Sequence, residues 1–312
     1  MTNAEVEPPS GRQLEIQHAD QRAVIVEVGG GLREYVVGGK AILDGYAVDE
    51  TADGGRGQPL LPWPNRLADG RYEFDGRTLQ VPIDEVARNN ASHGLTRWLN
   101  WTMEAHSTDR VRMGLLLHPR PGYPFTLRLS IDYSLDAHGL TVRTSAKNEG
   151  ASPLPFGAGQ HPYFSLGTRR VDDLSLRVPA ANWLEMQPQR LVPTGRVLGV
   201  DGSQVDFRSS RTIGDAVLDV CFADLSHDPD GRTSIALVNP ATHDSLSVWL
   251  AEPYRYVQVF TGDTLAAERR RQGLAIEPMT CPPNAFQSHV DLIVLQPGES
   301  VQLAWGAALT VC

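Results

Sequence analysis

The sequence predicts an all-β fold, an antiparallel sandwich or barrel, and three observations carry that expectation. Apolar residues recur with a period of two through most of the chain, not at the helical spacing of about 3.6. The runs are short and end in turn residues, with 29 glycines and 22 prolines spread along the length and no single linker among them. Helical segments do not alternate with the runs, which argues against a parallel sheet.

The elements follow in order. Residues 22–28 (RAVIVEV) read as a strand. Runs 71–74 and 77–81 flank Asp75-Gly76, a hairpin turn in which both positions tolerate positive φ. Runs 101–105 and 110–117 form the next hairpin. Residues 126–135 (TLRLSIDYSL) alternate cleanly, turn at 136–139 and return through 140–147. Further strands are expected at 175–178, 234–238, 245–250, 256–260, 291–295 and 300–305. The best short helical candidate is 264–271. Residues 49–58 (DETADGGRGQ) are the most loop-like stretch and read as a candidate mobile surface segment. With no internal repeat, one domain spanning 1–312 is expected, residues 1–12 forming a loose N-terminal segment.

Bulk composition narrows the function. The chain has 312 residues, 41% of them hydrophobic, enough for a sizeable core. A net charge of −9 lacks the electrostatic footprint of a nucleic-acid binder and does not suit an anionic membrane surface. The cysteines are Cys221, Cys281 and Cys312, an odd and sparse set that fits a reducing compartment better than a disulfide framework. There is no CxxC pair or Cys/His cluster for a structural zinc. The N-terminus lacks the basic and apolar regions of a signal peptide, and no window has the roughly 18 apolar residues of a membrane span. A cytoplasmic location is expected. GxSxG, P-loop and Rossmann fingerprints are absent, so neither a cofactor nor a metal is expected.

Five segments break the strand alternation with polar residues set among prolines, glycines and aromatics. They are PWPNR (62–66), NNASHG (89–94), GAGQHPYF (157–164), LDVCF (218–222) and AIEPMTCPPNAF (275–286). Loops and strand ends of this kind tend to carry chemistry. His161 precedes Pro162 and so has an extended backbone. Its imidazole suits a positioned general acid, or equally a half-buried histidine bonded within a loop. Glu277 follows apolar residues 274–276 and precedes Pro278, in surroundings that can raise a carboxyl pKa and make it a base. A surface glutamate at a strand end fits the same pattern. His93 is open in the same way. Arg66, beside Asn65, suits a ligand hydroxyl or a structural ion pair. Asp219, between Leu218 and Val220, suits a ligand or a strand edge. Cys221 and Cys281 sit in apolar contexts more typical of packing than of nucleophiles.

In order, GGGLREYVVGGKAILDGY, PWPNRLADGRYEFDGRTLQV, NNASHGL, GAGQHPYFSLG, LDVCF and AIEPMTCPPNAF resemble the aldose 1-epimerase (galactose mutarotase) family over nearly the whole chain. The resemblance implies a large antiparallel β-sandwich of the galactose-mutarotase type, with the site in a cleft on one sheet. By motif, Glu277 matches the catalytic base and His161 the catalytic acid. His93, Arg66 and Asp219 match residues that bind sugar hydroxyls or the ring oxygen, and Tyr163 matches a site-lining residue. Two positions depart from the pattern: Leu95 stands where a second glycine is frequent, and Asn284 where aspartate is usual. Both point to a divergent subgroup.

The expected activity is interconversion of the α and β anomers of a free aldohexose. The expected partners are a small-molecule sugar and at most a second copy of the chain (monomer or homodimer), with neither nucleic acid nor membrane. Trp63, Trp98, Trp249 and Tyr163 are candidates for stacking on the sugar, although tryptophans are more often core. A mutarotase for a phosphorylated or sulfonated hexose would add basic residues, for which Arg56, Arg88, Arg97 and Arg169-Arg170 are available. A non-catalytic sugar-binding or sensing module would keep the cleft and lose turnover.

Overall fold

The computed structural model describes residues 7–311. Nearly every element is a strand, and the architecture is an antiparallel β-sandwich. A nine-stranded antiparallel sheet runs through Thr102–His106, Arg110–Leu117, Leu127–Asp136, Gly139–Asn148, Ser300–Thr310, Ser245–Leu250, Thr233–Val238, Ser175–Arg177 and Arg211–Thr212. An eight-stranded sheet holds Pro193–Gly199, Ala180–Met186, Asp219–Leu225, Tyr256–Phe260, Leu274–Met279, Gly159–Gln160 and Pro59–Leu60 in order, with Tyr163–Phe164 pairing on Leu274–Met279. A smaller sheet, Gln13–His18, Gln21–Val26, Leu32–Val37 and Lys40–Ala41, lies beside them.

Period-two patterning explains the layers. In Gly139–Asn148 the side chains of Leu140, Val142 and Ala146 are buried while Arg143 and Lys147 are exposed, so one face meets the core. Leu274–Met279 is buried at every position because it lies inside its sheet and both faces are covered. Leu274 and Ile276 join the main core, whereas Met279 belongs to a separate cluster with Leu184, Cys221, Ala223 and Tyr256. Alternation therefore places Asp219, Gln258 and Glu277 on the face turned away from the core. The sheets are also joined by polar contacts: Gln160 accepts from Trp305 Nε1 at 3.0 Å and donates to the Tyr133 hydroxyl at 3.1 Å.

The expected strands are present with shifts of a residue or two at the ends, except that the last, expected at 300–305, runs on to Thr310. Asp75 and Gly76 both have positive φ, 50° and 69°, as the hairpin requires. The helix expected at 264–271 is not there. That stretch is a run of turns pinned by Arg271, whose φ is 58° and whose buried guanidinium donates to Asp172, Asp263 and the carbonyls of Gly214 and Ala216. Ionic anchoring replaces the packing of an apolar helix face there. Among the described residues the only α-helix is Ala285–Ser288.

The loose character expected of residues 1–12 does not extend to 8–12. There Gly11 N–H donates to Pro8 O, Val28 N–H to Ser10 O and Glu27 N–H to Arg12 O. Residues 1–6 and Cys312 lie outside the described residues. Residues 55–58 are buried, so the second half of the loop-like stretch is not a surface segment. No helix among the described residues is long and apolar enough to cross a membrane.

Candidate active site

Arg66, His93, His161, Tyr163, Asp219 and Glu277 line one cleft of about 350 Å³. The outward face of the eight-stranded sheet supplies its floor. Glu277 comes from Leu274–Met279, Gln258 stands opposite it on Tyr256–Phe260, and Asp219 opens the next strand. His161 lies between Gly159–Gln160 and Tyr163–Phe164, where its N–H donates to Gln58 O and its carbonyl accepts from Gly57 N–H.

The central contact joins His161 Nε2 to Glu277 Oε1 at 3.3 Å, with side chains only 6% and 2% exposed. Each retains one buried atom without a partner, Nδ1 of His161 and Oε2 of Glu277. Burial, helped by the positive charges of Arg97 and Arg56, pulls the His161 imidazole down to about 3. Burial, helped by the charge of Asp219, pushes the Glu277 carboxyl well above the ordinary range. Both shifts work against a charged imidazolium–carboxylate pair in the buried cleft floor.

His93 meets His161 edge-on, with ring centroids 5.4 Å apart. Burial and nearby cations hold it well below the usual histidine range. Its Nδ1 accepts the Asn65 N–H at 3.2 Å, which leaves the proton on Nε2 as a donor. The turn that presents it is tight: His93 has φ 61°, and a Cβ on Gly94 would lie 2.0 Å from Leu61 O. Leu95 continues this turn by donating its N–H to Leu61 O at 2.7 Å. Arg66 is held by Glu85 through Nε, at 2.9 and 3.1 Å. Asn284 binds this wall to the last motif: its N–H donates to Arg66 O, and its Oδ1 accepts Ala68 N–H at 3.0 Å. Tyr163 stacks on His161, centroids 4.9 Å apart and planes 15° apart.

The remaining candidates divide. Arg88, Arg97 and the 56%-exposed Trp98 line the cleft. Arg56 lies buried behind Tyr163, bonded to Asp44 at 2.9 Å. Arg169 and Arg170 are exposed and do not line the cleft, and Trp63 is buried against Phe286. Trp249 sits under Arg232 on the nine-stranded sheet. Cys221 and Cys281 are fully buried, and burial pushes both thiols up. Among the described residues no three His, Cys, Asp or Glu side chains group as metal ligands.

Sequence reasoning missed Gln258, Asn65, Asp84 and Glu85. Gln258 looks like any residue of an alternating strand, and only the register places it beside Glu277. Asn65 lay within PWPNR, and its positive φ of 55° is a signal that asparagine carries there.

Comparison with known proteins agrees with this fold. The structure superposes on a GalM/aldose epimerase homologue from C. elegans with a TM-score of 0.86 at 18% identity, covering 96% of this chain and 99% of that one. It matches galactose 1-epimerase from Lactobacillus acidophilus with a TM-score of 0.81 at 18% identity, covering 98% and 97%. A family model described as aldose 1-epimerase matches residues 12–305. The chain thus belongs to the aldose 1-epimerase family. Among relatives, the uncharacterized protein YihR of Escherichia coli (strain K12) is 34% identical over 94% of this chain and 92% of its own. The galactose mutarotase of Homo sapiens is 25% identical over 75% of this chain and 73% of its own.

Proposed function

We propose that the protein interconverts the anomers of a free aldohexose by acid–base ring opening and closure, with Glu277 as base and His161 as acid. The observation that carries this reading is the buried 3.3 Å contact between His161 Nε2 and Glu277 Oε1 at the cleft floor. A hexose entering there replaces that contact with its anomeric hydroxyl and ring oxygen. Glu277 takes the proton of the anomeric hydroxyl as His161 delivers one to the ring oxygen, and the C1–O5 bond breaks. Rotation about C1–C2 turns the other carbonyl face, and the two transfers run in reverse. Ring opening moves the pair from imidazolium and carboxylate to imidazole and carboxylic acid. Burial favours the second arrangement, so the site favours the ring-opened state. His93 donates from Nε2, while Arg66 and Asp219 bind hydroxyls and Tyr163 lines the site.

Polarimetry on freshly dissolved α-glucose and α-galactose tests the assignment. Glu277→Gln and His161→Asn should each slow mutarotation at least about 10²-fold, the lower magnitude for a positioned acid or base. Near-wild-type rates in both variants would overturn it.

A phosphorylated or sulfonated hexose is the second reading, favoured by Arg66, Arg88 and Arg97 in one wall. Glu85 engages Arg66 and Arg88, and Asp84 engages Arg97, so little positive charge is left for an anion. The neutral sugar is the better fit. A panel of neutral and anionic aldoses, scored for both binding and rate, separates the two. Binding without any rate enhancement would instead mark a sensing module.

A further inference from the structure

We infer that Arg56 is a positioning residue for the His161–Glu277 pair, a sealed guanidinium that acts through the ring of Tyr163 to fix the His161 imidazole and set a positive charge behind it. The inference rests on the acid–base reading above. Arg56, Tyr163 and His161 form one column. The guanidinium carbon lies 4.5 Å from the Tyr163 ring centroid, and that ring stacks on the imidazole. The column is clamped from the loop side. The Tyr163 hydroxyl donates to Gly54 O at 3.1 Å, and Gly55 packs so closely on His161 that a Cβ would lie 2.8 Å from Cδ2.

The cation is under-compensated for its depth. Its side chain is 2% exposed. Nη2 donates to Asp44, and Nη1 is 3.5 Å from Asp53, itself 44% exposed. Nε and Nη1 have no hydrogen-bond partner. Burying such a group costs stability, and an apolar side chain of similar length would avoid the cost. What the charge supplies is a fixed field across a low-dielectric ring, and that field opposes protonation of His161.

Other charged and titratable groups face His161 as well. Arg97, Arg66 and the neutral His93 line the same cleft, Glu277 does so from its strand, and Asp219 from beyond Glu277. Arg97 and Arg66 line the cleft, where a sugar changes their surroundings. Arg56 stands behind the ring, outside the cleft lining, so a sugar in the cleft does not contact it. An uncharged imidazole beside a protonated carboxyl is also the arrangement that follows ring opening, so the Arg56 charge favours that state.

The test compares wild type, the double variant Arg56→Met/Asp44→Asn, the single variant Arg56→Gln and the conservative Arg56→Lys. The double variant removes the cation together with its buried partner, Arg269 losing its contact with Asp44 but keeping Glu50, and Arg56→Gln serves if it fails to fold. NMR of ¹⁵N-histidine-labelled protein follows the His161 titration, and kcat/KM is measured against pH. Without the charge, the His161 titration and the acid limb of kcat/KM should both rise by at least about one pH unit, and Arg56→Lys should restore them. A folded charge-free variant with an unmoved titration overturns the proposal. A shifted titration with an unmoved acid limb overturns its link to catalysis. Absence of mutarotation in wild type would instead overturn the acid–base reading, while the titration would still report on Arg56.

Discussion

Gln258 stands directly opposite Glu277 in the register of neighbouring strands, and its Nε2 donates to Asp219 Oδ1 at 2.5 Å. Only the amide nitrogen can donate to a carboxylate, so the contact also fixes which way the amide points. Gln258 Oε1 is thereby left buried without a partner, as is Glu277 Oε2. Three neighbouring strands thus present a carboxylate, an oriented amide and a carboxyl, two of them with an unpaired oxygen. Buried polar atoms are normally satisfied, and two orphaned oxygens on paired strands at the cleft floor are acceptors that we propose a ligand hydroxyl satisfies.

Gln258→Met removes both the tether of Asp219 and the free amide oxygen while keeping the volume. We expect kcat/KM for a free hexose to fall about tenfold, mainly through KM, the size of one or two lost hydrogen bonds. Steady-state polarimetry measures this. An unchanged KM would remove Gln258 from the binding set.

The pH profile follows from the pair. An ordinary imidazole charges near 6.5, but burial and nearby cations pull His161 down to about 3. The site gains a second proton only there, so kcat/KM should stay flat as pH falls through 6.5. On the alkaline side activity should fall once Glu277, held above the carboxyl range, ionises and the pair loses its proton. Measuring kcat/KM from pH 4 to pH 10 checks the flat acid side and the alkaline limb. A loss of activity centred near 6.5 would mean that His161 titrates as an ordinary histidine.

Much of this molecule was legible before its coordinates. The strands of the Asp75-Gly76 hairpin and of 127–148 follow from turn chemistry and period two, which are local. Gln13–His18 and Pro193–Gly199 did not stand out, since the edge strand 193–199 is largely exposed and has no apolar face to read. The turns at 264–271 depend on Arg271 reaching Asp172 and the Gly214 and Ala216 carbonyls, contacts that no local pattern records. The same limit applies in the cleft. His161 and Glu277 are recognisable by type and setting, but their 3.3 Å contact and the role of Gln258 arise from the pairing of distant strands.

Gly55 tests how tightly His161 is held. Its φ is +77°, and a Cβ there would lie 2.8 Å from His161 Cδ2. Gly55→Ala must therefore strain the loop or push the imidazole away from Glu277. Because small misplacements of a catalytic group are costly, we expect kcat to fall at least about tenfold with less change in KM. Wild-type kcat in this variant would show that the loop does not set the His161 position.

Glu277→Gln should exchange activity for stability, with a sign that depends on pH. The folded-state pKa of Glu277 is raised above its unfolded value. Between those two values the unfolded chain releases the proton and the folded chain keeps it. Fewer protons are bound when unfolded, so stability falls as pH rises through this window, by about 1.4 kcal/mol per unit. Glutamine keeps the shape and has no proton to release, so the variant escapes this loss. Its Tm should be close to that of wild type near pH 4.5 and higher by at least about 2–4 °C at pH 8. The gap should open as pH rises above the unfolded value and level off once the folded-state carboxyl has ionised. The opposite outcome, a variant less stable than wild type at pH 8, would mean that the empty cleft holds an imidazolium–carboxylate ion pair whose loss leaves a charge unpaired. Scanning calorimetry on both proteins across that range distinguishes the two, without requiring that any sugar be turned over.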